Sequence, residues 1–246
     1  MLKLTAIFSK LIAMLLSSIF MIGLPMAGMP APTLWGGVTI TAHSGALGLP
    51  DNSIIAMAAG AAAGAEIVEF DLHFRADGTP VLSHNDPGEE ERATLEEAFA
   101  FLAKNPHLMA NVDVKSTAFL DKVQPMAQEA GVLDQLFFTG LDENTIPVAA
   151  QACPDIPCYL NVREVAEDED FAALADKVVA LGAIGVNLDF RKASPELSAA
   201  MHEKGLLVSV WTVGNLEEAV QAVQTGADNI TTYRPILVRS LVPRVC

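Results

Sequence analysis

A small set of ionisable residues has the types and spacing to do chemistry together. His43 closes a β-branched run, Glu69 and Asp71 sit two apart within Ile67–Leu72, and His84 follows Pro80–Ser83. Asn111, Asp113 and Lys115 alternate along and just past Met109–Val114. A spacing of two puts side chains on one side of a strand, so three carboxylates, two imidazoles and an ammonium gather at neighbouring strand ends. Carboxylates this close repel unless a positive charge lies between them. One hard divalent cation, Ca²⁺ or Mg²⁺, takes oxygen ligands of this kind and keeps waters for a substrate phosphate. Imidazoles titrate near about 6.5 and can form an acid/base pair around neutral pH. Lys115 can neutralise an anionic oxygen as a point charge. The chemistry these groups suit is phosphoryl transfer, where charge stabilisation and proton transfer lower the barrier. Each piece also has a plainer reading. His43 could be a hydrogen-bonded structural residue, Glu69 and Asp71 the exposed face of an edge strand, and Asp113–Lys115 a surface ion pair of little worth.

The elements that must position these groups follow a βα rhythm. Candidate strands are Val38–Ala42, Ile67–Leu72, Met109–Val114, Leu136–Thr139, Cys158–Val162, Gly185–Leu188, Leu207–Trp211 and Asn229–Thr232. Helical stretches lie between them at Ser53–Ala63, Leu95–Lys104, Thr117–Ala130, Asp170–Leu181, Pro195–Lys204 and Leu216–Thr225. Gly64, Gly131, Gly182, Gly205 and Gly226 each follow a helical run, where a residue of positive φ ends a helix. Ile67–Leu72 and Val208–Trp211 read as buried on both faces, as parallel strands do. Asp77-Gly78 is a hairpin turn signal. Eight strands alternating with helices predict an α/β protein, a (β/α)8 TIM barrel, whose site lies at the C-terminal strand ends. A doubly wound sheet would be expected to show a glycine-rich phosphate loop, and none is present. Residues 35–246 read as one domain.

With 51% apolar and 18% charged residues the chain is not of disordered composition. Its beginning differs from the rest. Lys3 and Lys10 precede the uncharged run Leu11–Leu24, and Pro25, Ala27, Gly28 and Ala31 follow. Residues 1–31 therefore read as a signal peptide, predicting a secreted or periplasmic protein; an N-terminal membrane anchor is the alternative. The net charge of −15 disfavours nucleic acid as a partner, and nothing in the sequence predicts a stable protein partner. Export would permit a disulfide, and Cys153 and Cys158 flank a short proline-containing loop where a local bridge is expected; Cys246 is left over. His73, His107 and His202 read as structural or solvent-exposed.

Taken in order, these residues resemble the glycerophosphodiester phosphodiesterase family of phosphatidylinositol-phospholipase-like barrels. The family's H-R-G, P-E-N-[ST], G-A-D…E-x-D, D-G and H-D are similar to His43-Ser44-Gly45, Pro50-Asp51-Asn52-Ser53, Gly64 to Asp71, Asp77-Gly78 and His84-Asn85-Asp86. Its T-L-E-E, N-x-E-x-K, W-T-V-N and G-x-D-x-I-x-T-x-R-P resemble Thr94 to Glu97, Asn111 to Lys115, Trp211 to Asn215 and Gly226 to Pro235. The resemblance implies that His43 and His84 are the catalytic pair, that Glu69, Asp71 and Asp113 hold the metal, that Lys115 contacts phosphate and that Trp211 lines the substrate pocket. It implies a small-molecule phosphodiester as substrate. Four departures stand out: Ser44 replaces an arginine that would clamp phosphate in bidentate fashion, Asp51 and Asp113 replace glutamates, and only Asn85–Ala93 separates His84 from Thr94, where the family carries an inserted subdomain. The short connection and Asp113 leave open a phospholipase D-like action on lysophospholipid or sphingomyelin head groups. Ser44 leaves open a barrel that binds phosphodiesters without cleaving them.

Overall fold

A computed structural model describes residues 37–242. The apolar leader and Cys246 lie outside the described residues. Nine strands are described: β1 Thr39–Ala42, β2 Ile67–Phe74, β3 Pro80–Leu82, β4 Met109–Val114, β5 Leu136–Thr139, β6 Tyr159–Val162, β7 Gly185–Asp189, β8 Leu207–Val213 and β9 Asn229–Thr232. The helices are α1 Ile54–Ala62, α2 Leu95–Ala103, α3 Val123–Ala130, α4 Ile146–Ala152, α5 Phe171–Ala180, α6 Pro195–Glu203, α7 Leu216–Gln224 and α8 Pro235–Arg239. Side-chain caps start most of them. Ser53, Asp170, Ser194 and Asn215 accept backbone N–H groups of the first turn, and Thr94 with Glu97 forms a reciprocal capping box.

Eight strands pair in parallel in the order β5-β4-β2-β1-β9-β8-β7-β6. A parallel bridge between Phe138 and Cys158 brings the two end strands together. The Phe138 amide donates to the Pro157 carbonyl at 2.8 Å and the Asn161 amide to that of Leu141 at 2.7 Å. The result is the expected (β/α)8 barrel, nearly closed. Ile67, Phe137, Tyr159 and Leu207 form a small buried cluster of their own, with Phe137 and Tyr159 edge to face at 5.5 Å. The main core fills the layer between strands and helices. Residues 83–94 form a short connection without the inserted subdomain, crossed by Arg75, which donates to the Gly88 and Glu90 carbonyls.

Some expectations need correction. The helix expected from Thr117 starts only at Val123, because Phe119 adopts φ 59 and a 3₁₀ turn over Leu120–Lys122 intervenes. The sequence reading had neither α4 nor α8, both short and both with proline in the first turn. No bridge joins Cys153 and Cys158: both are free and buried, with Cys153 Sγ directed at the Leu120 carbonyl, 3.2 Å away. No described helix is long and apolar enough to cross a membrane.

Candidate active site

Strand register decides which polar groups meet. β2 and β4 pair so that Glu69 lies beside Asn111 and Asp71 beside Asp113. β2 is flanked by β1 and β4, so its acids are interior rather than on an edge, and Glu69 and Asp71 are each 4% exposed. Glu69, Asp71 and Asp113 each offer an oxygen within 4.8 Å of the other two. Lys115, one step beyond β4, places Nζ 2.9 Å from Asp71 Oδ1 and 2.8 Å from Asp113 Oδ2. It is thus an ammonium shared by a buried and a partly buried carboxylate and not a surface pair.

The imidazoles come from two different strand ends. His43 follows β1, which hydrogen-bonds to β9 through the His43 amide and the Thr232 carbonyl at 3.0 Å. Its Nδ1 lies 3.2 Å from Ser44 Oγ and accepts a long bond of 3.4 Å from the Gly45 amide. Because a backbone N–H can only donate, Nδ1 is an acceptor and the neutral ring carries its proton on Nε2. His84 follows β3, the short strand that pairs antiparallel with β2, and sets Nδ1 3.3 Å from Asp71 Oδ1. An ionised carboxylate only accepts, so this nitrogen carries a proton.

Three carboxyls, two buried and one partly buried, around one ammonium are short of positive charge. Burial, with the charges of Asp71 and Asp113 behind it, holds Glu69 well above the usual carboxylate range, against the pull of the Ser44 amide and Lys115. Burial also raises Asp113, and Lys115 offsets this only in part. Asp71 goes the other way: burial opposes its ionisation, but Lys115, the Asn52 amide and His84 together bring it below the usual range. Lys115 is lifted above its ordinary value because Asp113 and Asp71 outweigh its burial. Burial lowers His43 by more than Asp71, Asp51 and Asp113 raise it. Asp113 Oδ1 is buried without a hydrogen-bond partner among the described residues. A donor set made only of hard carboxylate oxygens, short of cationic charge, suits a hard divalent cation.

Trp211 lies toward the C-terminal end of β8, beside Asp189 of β7, with its indole Nε1 buried and unpartnered among the described residues. No described contact joins it to the imidazoles or the acids. His202 pairs instead with buried Asp228 at 2.9 Å, His73 Nδ1 accepts its neighbour's amide, and His107 is exposed. Two residues escaped a role in the sequence reading. Asn52, at φ 58, donates from Nδ2 to Asp71 Oδ2 at 2.7 Å and accepts the Asp71 amide on Oδ1 at 2.8 Å. Tyr233 packs its ring against His43 at a tilt of 47°, with centroids 4.4 Å apart. Asn52 had a signal, its place in the proline-led stretch after His43; Tyr233 had none.

An acid–imidazole cluster at the C-terminal mouth of a parallel barrel defines a (β/α)8 enzyme of the phosphoric diester hydrolase kind. The glycerophosphoryl diester phosphodiesterase family profile matches residues 43–90 and 85–237, and the chain belongs to that family. Solved structures share the fold. A Silicibacter pomeroyi protein provisionally called a glycerophosphoryl diester phosphodiesterase is 20% identical at TM-score 0.73, covering 87% of this chain and 94% of its own. A glycerophosphodiester phosphodiesterase from Parabacteroides distasonis is 17% identical at TM-score 0.71, covering 83% and 96%. A phosphodiesterase from Oleispira antarctica, solved in complex with the product sn-glycerol-3-phosphate, is 18% identical at TM-score 0.67, covering 82% and 95%. No curated protein matches the sequence significantly.

Proposed function

We propose that this protein hydrolyses glycerophosphodiesters to glycerol 3-phosphate and an alcohol, with His43 and His84 as the acid/base pair. The observation that carries the reading is the meeting of two imidazoles on the acidic cluster Glu69–Asp71–Asp113. The sn-glycerol-3-phosphate held by the Oleispira protein supports it by analogy of fold. Glu69, Asp71 and Asp113 would hold the divalent cation, whose contribution when bound is Lewis-acid withdrawal of charge from the non-bridging phosphoryl oxygens. Lys115 sets a second positive charge beside the same oxygens. One imidazole takes the proton from an attacking hydroxyl, of water or of the substrate itself, and the other gives a proton to the leaving alkoxide. Ser44 offers a short hydroxyl where a guanidinium fork would clamp the phosphate, so orientation falls to the cation site and Lys115. Trp211 would line the pocket wall across the mouth. The basic-then-apolar leader would export residues 35–246, which N-terminal sequencing of the mature protein tests.

The direct experiment is hydrolysis of glycerophosphocholine and bis(p-nitrophenyl) phosphate with Ca²⁺, Mg²⁺ or EDTA. His43→Ala and His84→Ala should each lose on the order of 10²–10⁴-fold in kcat. Undiminished turnover in both variants overturns the proposal.

A further inference from the structure

The edge of the His43 ring is held only loosely. Rotation of an imidazole about its second side-chain torsion is broad and roughly two-fold. The two contacts that address the ring edge, Ser44 Oγ at 3.2 Å and the Gly45 amide at 3.4 Å, are long, and both use Nδ1. The firmer constraint is on the ring itself, where Tyr233 packs with centroids 4.4 Å apart and planes tilted by 47°. Tyr233 is pinned in turn. Its amide donates to the Val213 carbonyl at 3.0 Å and its carbonyl accepts the Leu47 amide at 2.9 Å, so it bridges the end of β8 and the loop after β1. The adjoining Thr232 carbonyl accepts the His43 amide, so the backbone and the ring of His43 are both seated on the end of β9. Yet the Tyr233 side chain is 40% exposed and belongs to neither buried cluster. A ring so placed adds little to the core, and its aromatic partner among the described residues is the imidazole. Tyr233 also stands at the unspecified position between Thr232 and Arg234 in the closing G-x-D-x-I-x-T-x-R-P pattern, where the family resemblance gives it no role.

We propose that Tyr233 is a positioning residue for the reaction, an aromatic plate that fixes the plane of the His43 imidazole and with it the direction of Nε2. The proposal rests on the hydrolytic reading above, which gives His43 its acid/base role. Nδ1 is engaged by Ser44 and Gly45, so proton transfer at the ester passes through Nε2. A ring free to swing about its torsion spends part of its time out of line, and a misplacement of about 1 Å costs on the order of 10²-fold in rate. The plate also screens the imidazole from water. The charged groups facing His43 are Asp51 from its own loop, Asp71 from β2, and Asp113 with Lys115 from the end of β4; burial lowers His43 by more than the acids raise it.

The test compares Tyr233→Phe, which keeps the ring, with Tyr233→Ala, which removes it, on bis(p-nitrophenyl) phosphate in Ca²⁺ and in Mg²⁺. The alanine variant should lose roughly 10- to 100-fold in kcat with KM changed less than about threefold, and the phenylalanine variant should stay within about twofold of the unsubstituted protein in both. Thermal melts check that both variants are folded. An equal loss in the two variants puts the hydroxyl, not the ring, to work, and a rise in KM alone makes the ring a binding wall; either result overturns the proposal. A second measurement needs no turnover. In EDTA, the His43 imidazole signals, assigned by their loss in His43→Ala, are titrated by NMR in all three proteins. Opening the ring to water should move the His43 midpoint upward in Tyr233→Ala, toward its ordinary value of about 6.5 or past it, and leave it in place in Tyr233→Phe. An unmoved midpoint in the folded alanine variant overturns the plate. Absence of turnover in the unsubstituted protein, with the midpoint moving as expected, removes the hydrolytic reading and leaves the hold of Tyr233 on His43 standing.

Discussion

Asn52 is the residue whose replacement reports most directly on how the acidic cluster is held. It is 8% exposed and fastens Asp71 twice, through a charge-assisted bond of 2.7 Å to the carboxylate and a bond of 2.8 Å from the Asp71 amide. Its φ of 58 is left-handed, a region asparagine tolerates better than other residues with a Cβ. Removing the charge-assisted bond should cost about 2 kcal/mol and stranding the Asp71 amide about 1 kcal/mol. Alanine also lacks the local hydrogen bonding that lets asparagine tolerate left-handed backbone, which adds about 1 kcal/mol. Asn52→Ala is therefore expected to lose about 4 kcal/mol. Asn52→Gly should lose about 0.5–1 kcal/mol less, the reverse of the usual order of these two residues in regular structure.

Urea unfolding in EDTA, read by two probes to check two-state behaviour, measures these losses. The pH dependence gives a second handle. Asp71 titrates below its ordinary range in the folded protein, so its stabilising contribution is present above the unfolded value and disappears as pH falls through the folded one. Part of that depression is due to Asn52, so the gap between the unsubstituted protein and Asn52→Ala should narrow between pH 7 and pH 3. Equal losses for alanine and glycine would refute the backbone argument. A pH-independent gap would refute the claim that Asn52 holds the ionised form of Asp71.

Further outcomes follow from the same geometry. Glu69 and Asp113 titrate above their ordinary values, so their contribution is present below the unfolded pKa and lost as pH rises through the folded one. The metal-free protein should melt at lower temperature at pH 8 than at pH 5.5, millimolar Ca²⁺ or Mg²⁺ should raise the melting temperature more at pH 8, and Glu69→Gln should flatten both trends in differential scanning fluorimetry. Gly140→Ala would put a Cβ 2.2 Å from Asp113 Oδ1 and 2.5 Å from the Val114 carbonyl oxygen at φ 80, so a loss of more than about 2 kcal/mol is expected in urea. Burial pushes the Cys153 thiol up to about 11 and Cys158 up to about 12, so in a Cys246→Ser background neither should react with Ellman's reagent until the protein is unfolded.

The barrel was legible because its signals are local. Met109–Val114, Leu136–Thr139 and Asn229–Thr232 are strands over the span their apolar and β-branched runs predict, each bounded by residues that interrupt the pattern. Where a boundary depends on a partner, the pattern stops short. β2 runs on to Phe74 because β3 folds back and pairs Phe74 with Pro80, a contact no periodicity within β2 encodes. Helix α4 has seven residues and buries only Ile146 and Ala149, too little for a 3.6-residue period to stand out. The expected Cys153–Cys158 bridge failed for a related reason. Sequence proximity says nothing about direction, and Cys153 points to the Leu120 carbonyl, in the loop before α3.

The site divides along the same line. Glu69, Asp71, Asp113 and Lys115 were legible as a group because two parallel strands in register need only a period of two to bring their side chains abreast. His84 follows from a hairpin that returns to β2. Asn52 reaches Asp71 across 19 residues of chain, and only the left-handed turn before α1 aims its amide there. Tyr233 is further from anything a linear pattern could reveal. It meets His43 because β9 pairs with β1, Thr232 opposite Ala42, and closes the barrel's first strand against its last. Residues that chemistry requires at strand ends can thus be picked out by type and period. Those that orient them arrive through the closure of the barrel.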